Sequence, residues 1–298
     1  MSEILAFLPT YAPSAGEENP HGRETIRLTT QQIADRVNTL GQNSRTRPYV
    51  YMDCIDSVIN SRPDVHLVVA DAKSSDIVRE GLATHHKNTG GYELAFYPEK
   101  MSQWALMNDV MKHHVTDDTK YVVYTSSDII WVMDWVGEAI KEFEADPSLM
   151  ILFPTVSTGD PSIPIQIANG PKDIPLVDPA QHMGCLGMTA ARAPCLNAYA
   201  IIFRIDFFKQ YGGYPDVYRN CFTESFLYYM AQAMGGKMRL MPRGWVFHHN
   251  GVDVWVGTGG FYHYTAEKPT FDKMMDAVQK AREDGKMTPE FLKSVLYA

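Results

Sequence analysis

Three short runs of mainly apolar residues, Ile4–Leu8, His66–Ala70 and Tyr121–Tyr124, most constrain what this chain can fold into. A strand that is apolar on both faces must be covered on both faces. That is the environment of a parallel sheet between helices, not of a sheet with one face in water. The intervening segments have helical spacing: Ile33, Val37 and Leu40 after Thr30, then about Met52–Asn60, Ser75–Thr84 and Ser102–His114, with a further strand near Tyr92–Phe96. Alternating strands and helices predict an α/β architecture with a mostly parallel central sheet.

The second half is less regular. Trp135–Ala145 is expected as a helix and Met150–Phe153 as a strand, followed by a long Pro- and Gly-containing loop over Thr155–Pro194. Loops of that length are usually functional. Asn197–Phe203 reads as a strand, Asp206–Tyr211 and Glu224–Met234 as helices, and Lys237–Met241 as another strand. Two tail helices follow, Thr270–Asp284 and Thr288–Leu296, the latter with Thr288 as N-cap and Pro289 in its first turn. The glycine pairs at 90–91, 212–213, 235–236 and 259–260 read as helix stops and turns. The division expected is one domain over 1–265 and a helical tail over 266–298.

Of the 298 residues, 45% are hydrophobic and 21% charged, so a sizeable core is available and disorder is excluded. No apolar run approaches the roughly 18 residues that span a bilayer, and a basic region followed by a cleavable apolar stretch is missing from the first residues. A soluble, cytoplasmic protein without membrane attachment is expected. Cys54, Cys185, Cys195 and Cys221 form no CxxC pair and are expected as free, partly buried thiols. With 35 acidic and 27 Lys and Arg residues the net charge is −8. That surplus opposes general binding to nucleic acid and leaves carboxylates for a divalent cation. Dinucleotide, P-loop, zincin and hydrolase-elbow signatures are absent.

Asp71 and Asp128 each follow a predicted strand, where ligands of open α/β sheets gather. An Asp in that position also commonly caps a turn or helix. Asp128 lies between Tyr121–Tyr124 and Ile129–Trp131, so its carboxylate needs a partner, and a metal ion would be one.

Four stretches, in order, resemble glycosyltransferases of the GT-A fold, family-2-like enzymes in particular. Phe7–Tyr11 is similar to the opening strand and PTY turn, and Val68–Asp76 to the VVDDGSxD stretch with one extra residue. Val123–Asp128 with Asp134-Trp135 resembles the DxD strand end and its downstream DW. Ile202-Phe203-Arg204, Gly212-Gly213-Tyr214, Thr223-Glu224, Gly235, Pro242 and His248 resemble the acceptor half. Residues 4 to 250 are covered. Ser126 stands in place of the first Asp of DxD, and Thr223-Glu224 in place of Glu-Asp.

The resemblance implies a Rossmann-like GT-A domain whose nucleotide-sugar half is about 1–130 and whose acceptor half is 131–265. It implies transfer of a hexosyl or pentosyl group from a nucleotide-diphosphate sugar, UDP-sugar first, to an acceptor hydroxyl with Mn²⁺ or Mg²⁺. Asp128 and His248 would hold the metal. Pro9, Tyr11, Asp71, Gln103, Asn108, Ser126 and Ser127 would meet the donor, while Arg204, Thr223 and Trp245 would face the acceptor. Glu224 would be the base of an inverting displacement; with the alignment shifted by one residue, Ser225 would stand there instead. Retention would need no such base. Tyr11 is read equally as a base-stacking or a packing residue, and Trp131, Trp135 and Trp245 as core or acceptor wall. His85-His86 and His113-His114 are expected as solvated helix ends, and His263 as either a residue over the donor or part of the tail. Lys172, His182 and Arg192 in the long loop would line the acceptor side. That acceptor would be a glycan, a protein hydroxyl, a metabolite or, as a minor option, modified phage DNA. Two other classes remain open: a non-catalytic nucleotide-sugar or glycan-binding module, and a metal-dependent hydrolase using Asp128, His248 and His249.

Overall fold

The apolar runs become the centre of a sheet. In the computed structural model, which describes residues 2–10, 47–158, 172–173, 200–211, 213, 223–248 and 260–296, the strands are β1 (Ile4–Thr10), β2 (His66–Ala72), β3 (Glu93–Tyr97), β4 (Tyr121–Thr125), β5 (Ile129–Ile130), β6 (Leu149–Thr158), β7 (Lys172–Asp173), β8 (Ala200–Arg204) and β9 (Lys237–His248). Helices α1 (Arg47–Ser61), α2 (Asp76–Thr89), α3 (Gln103–His114) and α4 (Trp135–Ala145) follow the alternation expected. Helices α5 (Ile205–Tyr211), α6 (Thr223–Ala233), α7 (Gly260–Glu283) and α8 (Pro289–Leu296) complete the described chain. The helix expected around Ile33, Val37 and Leu40 lies outside the described residues, as do Tyr11, His182, Arg192, Cys185, Cys195 and Cys221.

The strand order is β3-β2-β1-β4-β8-β6-β9-β5, with β7 also on β9. β1, β2, β3 and β4 are parallel, in register Phe7↔Val68 and Phe7↔Tyr124. β8 runs antiparallel to both β4 and β6, so β6 again points the same way as β4. β9 is parallel to β6, whereas β5 and β7 oppose β9. Six of the nine described strands thus share one direction and the sheet is mostly parallel, as expected, with β8, β5 and β7 running the other way within it. One consequence decides the site: the C-terminal ends of β1, β2, β4, β6 and β9 share one edge.

Side chains alternate across the sheet and build a core on each face. Ile4, Ala6 and Leu8 of β1 pack with Cys54, Ile55 and Val58 of α1, Val78 and Leu82 of α2, and Trp135, Ala139 and Phe143 of α4. Leu5 and Phe7 face the other way, onto Trp104, Met107 and Val110 of α3 and, in the same cluster, Phe207, Leu227, Met230, Phe271 and Leu292. Trp131 and Trp135 are core residues, as one of their two readings had it.

Several boundaries differ from expectation for definable reasons. β9 continues beyond Met241 to His248, because its register with β6 slips between Leu240 and Trp245 and so accommodates Pro242, which has no N–H for a ladder bond. β6 extends through Thr158 and Lys172–Asp173 form β7, so part of the expected loop is strand. α7 begins at Gly260 and runs through Pro269, where the sequence suggested a start. Gly260 thus opens a helix instead of stopping one. The paired histidines are not all solvated: His85 reaches Asp56 and the Tyr92 hydroxyl at 3.0 Å each, and His86 reaches the Tyr92 carbonyl at 2.9 Å. Among the described residues, no helix is long and apolar enough to cross a membrane.

The tail helices belong to the core. Phe271, Met274 and Val278 of α7 and Leu292 of α8 are each at most 3% exposed. Phe271→Ala should therefore cost about 3–5 kcal/mol in urea denaturation, the range for a large buried aromatic. A loss below about 0.5 kcal/mol, typical of surface changes, would mean the tail is only appended.

Candidate active site

The shared edge gathers Thr10, Asp71, Ser126–Asp128 and His248 from strands far apart in sequence. Asp71 ends neither strand nor turn freely. It is fully buried within β2, paired in register with Thr10. The Thr10 hydroxyl donates to Asp71 Oδ2 and the Ser74 N–H to Oδ1, each at 3.0 Å, while Arg79 Nε lies 3.2 Å from Oδ1. These bonds close the turn through Lys73, whose φ of 63° is left-handed. Arg79 also donates to the Tyr97 carbonyl and lies over the Phe96 ring at 4.6 Å. Asp71 thus braces the ends of β1, β2 and β3, and Pro9 lies half-buried beside it opposite Ala70.

Asp128 is 8% exposed and sits in the tight turn between β4 and β5, closed by the Ile129 N–H on the Ser126 carbonyl at 3.2 Å. Its Oδ1 is buried. Three residues of α1 at helical spacing hold this segment in place. The Cys54 thiol donates to the Ser127 carbonyl at 3.1 Å. Ser57 accepts from the Trp131 N–H at 2.9 Å, and Ser61 donates to the Trp131 carbonyl at 3.1 Å. The Trp131 indole N–H is in turn bonded to Thr125 Oγ1 at 3.2 Å. Burial pushes the Cys54 thiol well above its usual range, and the charges of Asp128 and Asp53 add to the shift. Two carboxylates, Asp128 and Asp53, thus bear on this turn. Sequence reading missed this clamp; the available signal was small polar residues at i, i+3 and i+7 on an otherwise buried helix face.

Asp128 and His248 approach through the backbone. β5 pairs with β9 so that Ile129 is opposite His248 and Ile130 opposite Phe247. Directly opposed residues in an antiparallel pair are roughly 4.5–5.5 Å apart at Cα. His248 is also opposite Thr158 of β6. Trp245 is half-buried farther back on β9, in register with Thr155. Thr223 and Glu224 lie in the first turn of α6, which packs against β9.

Gln103 and Asn108 project from α3. Gln103 Oε1 accepts from the Tyr124 hydroxyl at 2.8 Å, tying the first turn of α3 to β4. Asn108 meets the turn at Gly213, where φ is +114° and a Cβ would come within 2.7 Å of Asn108 Oδ1. Only glycine fits that approach. α3 and the turn at Gly213 are thereby in close contact.

Arg204 is the correction. β8 runs backwards, so Ala200 is opposite Thr125 and Arg204 is opposite Tyr121, at the far edge of the sheet. Its guanidinium donates to the carbonyls of Leu149 and Phe143 and lies over the Phe143 ring at 5.3 Å. It anchors the end of α4 and is remote from the cleft. Asp134 is likewise structural: it caps α4 through the Gly137 N–H at 2.8 Å and pairs with Arg62 at 3.0 Å.

Residues 52–187 match the family model described as glycosyl transferase family 2. No curated protein matches the chain by sequence. Among solved structures it is similar to the mannosyltransferase PcManGT from Pyrobaculum calidifontis, in complex with GDP-Man and Mn²⁺, at 17% identity and a TM-score of 0.52, covering 99% of this chain and 68% of that one. GalNAc-T7, solved with UDP, GalNAc and Mn²⁺, is similar at 14% identity and a TM-score of 0.55; 98% of this chain spans 54% of it. TarS of S. aureus, residues 1–349, gives 10% identity, a TM-score of 0.52, and coverage of 82% and 60%.

Iodoacetamide at pH 8 should leave Cys54 unmodified in the native protein and alkylate it after urea unfolding, read by peptide mass mapping. Ser57→Ala removes the acceptor for the Trp131 N–H and should cost about 1–3 kcal/mol in chemical denaturation.

Proposed function

The chain has a GT-A, family-2-like fold, and we propose that it is a glycosyltransferase that moves a sugar from a nucleotide-diphosphate donor to an acceptor hydroxyl with a divalent cation. The observation that carries this reading is the backbone pairing of Ile129 with His248, which sets the Asp128 turn beside the other expected metal residue. Buried Asp128, the Asp53 carboxylate that bears on the same turn, and an imidazole-bearing position next to it make a donor set that fits Mn²⁺ or Mg²⁺. When bound there, the cation would offset the charge of the departing diphosphate as a Lewis acid.

The chain's own residues do the rest. Asp71 holds the Lys73 turn, and with Pro9 shapes the floor on which the base would rest. Ser126 and Ser127 offer hydroxyls at the β4 end for the ribose or phosphate. Gln103 and Asn108 line the α3 side. Glu224, in the first turn of α6, takes the proton of the attacking hydroxyl in an inverting displacement, on the face opposite the leaving diphosphate. Thr223 and Trp245 stand on the acceptor side; Arg204 does not. A UDP-sugar is the first donor to test, because GalNAc-T7 was solved with UDP, and GDP-mannose the second, because PcManGT was solved with it.

Thermal shift with nucleotide diphosphates and their sugars, with and without Mn²⁺, tests the proposal. UDP or GDP should stabilise the protein more with Mn²⁺, and Asp128→Asn should remove the Mn²⁺ increment. Absence of stabilisation by every nucleotide would overturn the reading. Glu224→Gln should retain nucleotide binding while losing about 10²–10⁴-fold in transfer, the usual worth of a positioned base. Binding without turnover across a donor panel would instead identify a non-catalytic module.

A further inference from the structure

The edge of the sheet opposite the candidate active site carries a second group of ligating side chains. His66 opens β2, Glu93 opens β3 and His114 ends α3. His66 Nε2 lies 2.8 Å from Glu93 Oε1, and His114 Nδ1 lies 3.3 Å from Glu93 Oε2. One ligand atom from each residue falls within 4.8 Å of the others. The two rings are edge-on, 67° apart with centroids at 5.4 Å, so their nitrogens converge on the carboxylate instead of stacking. We propose that His66, Glu93 and His114 form a zinc-type divalent-metal site, separate from the nucleotide cleft.

The donor set and spacing support this assignment. Two imidazoles and one carboxylate match the three-ligand open sites of Zn²⁺, and imidazole nitrogen favours Zn²⁺ and neighbouring late transition ions over Mg²⁺ or Ca²⁺. A tetrahedral ion with ligands at about 2.0–2.2 Å sets its ligand atoms roughly 3.3–3.5 Å apart. The separations of 2.8 and 3.3 Å to the carboxylate, with all three ligand atoms within 4.8 Å of one another, lie close to that value, so small side-chain rotations would seat the ion. The side chains of His66 and His114 are 31% and 21% exposed and that of Glu93 is 56% exposed. The imidazoles are thus partly held by their surroundings while one side stays open for water as a further ligand. Asp109, 3.5 Å from His113 Nε2 on the same helix turn, adds negative charge nearby. His66 is hydrogen-bonded to one Glu93 oxygen and His114 faces the other. The ion would fasten the end of α3 to the first residues of β2 and β3. Because α3 carries Gln103 and Asn108 at its other turns, the ion would steady a wall of the cleft from behind.

Tag-free full-length protein, stripped with EDTA and titrated with ZnCl₂ by calorimetry, tests the site. One Zn²⁺ equivalent should bind, persist in Asp128→Asn, and weaken about tenfold or more in His66→Gln and in His114→Gln. Co²⁺ should give the visible absorption of a nitrogen-bound tetrahedral ion in the wild type and lose it in the double variant. Glu93→Gln keeps the shape of the cluster and provides a third variant, with circular dichroism confirming that each is folded. No Zn²⁺ binding at micromolar concentrations, or binding unchanged in the histidine variants, would overturn the proposal. Loss in Asp128→Asn alone would place the zinc in the nucleotide cleft and overturn it as well.

Discussion

Two residue pairs, Ile129 with His248 and Ile130 with Phe247, close the candidate site. They join β5, the two-residue strand that follows the Asp128 turn, to the end of β9. Their importance follows from geometry: a strand of two residues has little hydrogen bonding of its own, so it is held by what surrounds it. On one side that is β9, and on the other the Cys54, Ser57 and Ser61 face of α1. A helix face of small side chains lets its polar atoms reach the turn backbone directly. The turn is therefore held in place, and a polar residue between two apolar runs is accommodated without disordering either.

The two acidic residues at strand ends illustrate how one sequence pattern serves different purposes. Asp71 is fully buried and has its oxygens engaged by Thr10, Ser74 and Arg79, so its work is to shape the β2 turn. Asp128 belongs to a shorter turn with a second carboxylate, Asp53, acting on the same thiol. Burial alone does not separate them. Asp71 is held in the β2 turn by three partners on separate segments, one of them a guanidinium.

Strand direction gives the sheet two chemically distinct edges. The edge holding the strand ends carries the nucleotide-cleft candidates. The opposite edge gathers His66, Glu93 and His114, together with Arg204, which the reversal of β8 takes away from the cleft. Histidines that look alike as neighbouring pairs are thus sorted by position: His85 and His86 tie α2 to Asp56 and Tyr92, while His114 turns toward β2 and β3.

The sequence by itself determined the described elements of the first half, because a doubly covered strand needs an unbroken apolar run and its ends need polar turn residues. Ile4–Leu8, His66–Ala70 and Tyr121–Tyr124 were legible for that reason, as was the Trp135–Ala145 helix from its apolar spacing. The ordered motifs also made the GT-A resemblance readable. Only the tertiary structure decided strand direction at β8, the continuation of β9 past Pro242, the burial of the tail helices and the clamp from α1. Apolar periodicity states that a segment is a strand or helix face but carries no information on which way it runs or what it meets. Arg204 shows the difference most clearly: the same residue in the same motif faces the acceptor or anchors a helix end according to the direction of the strand that bears it.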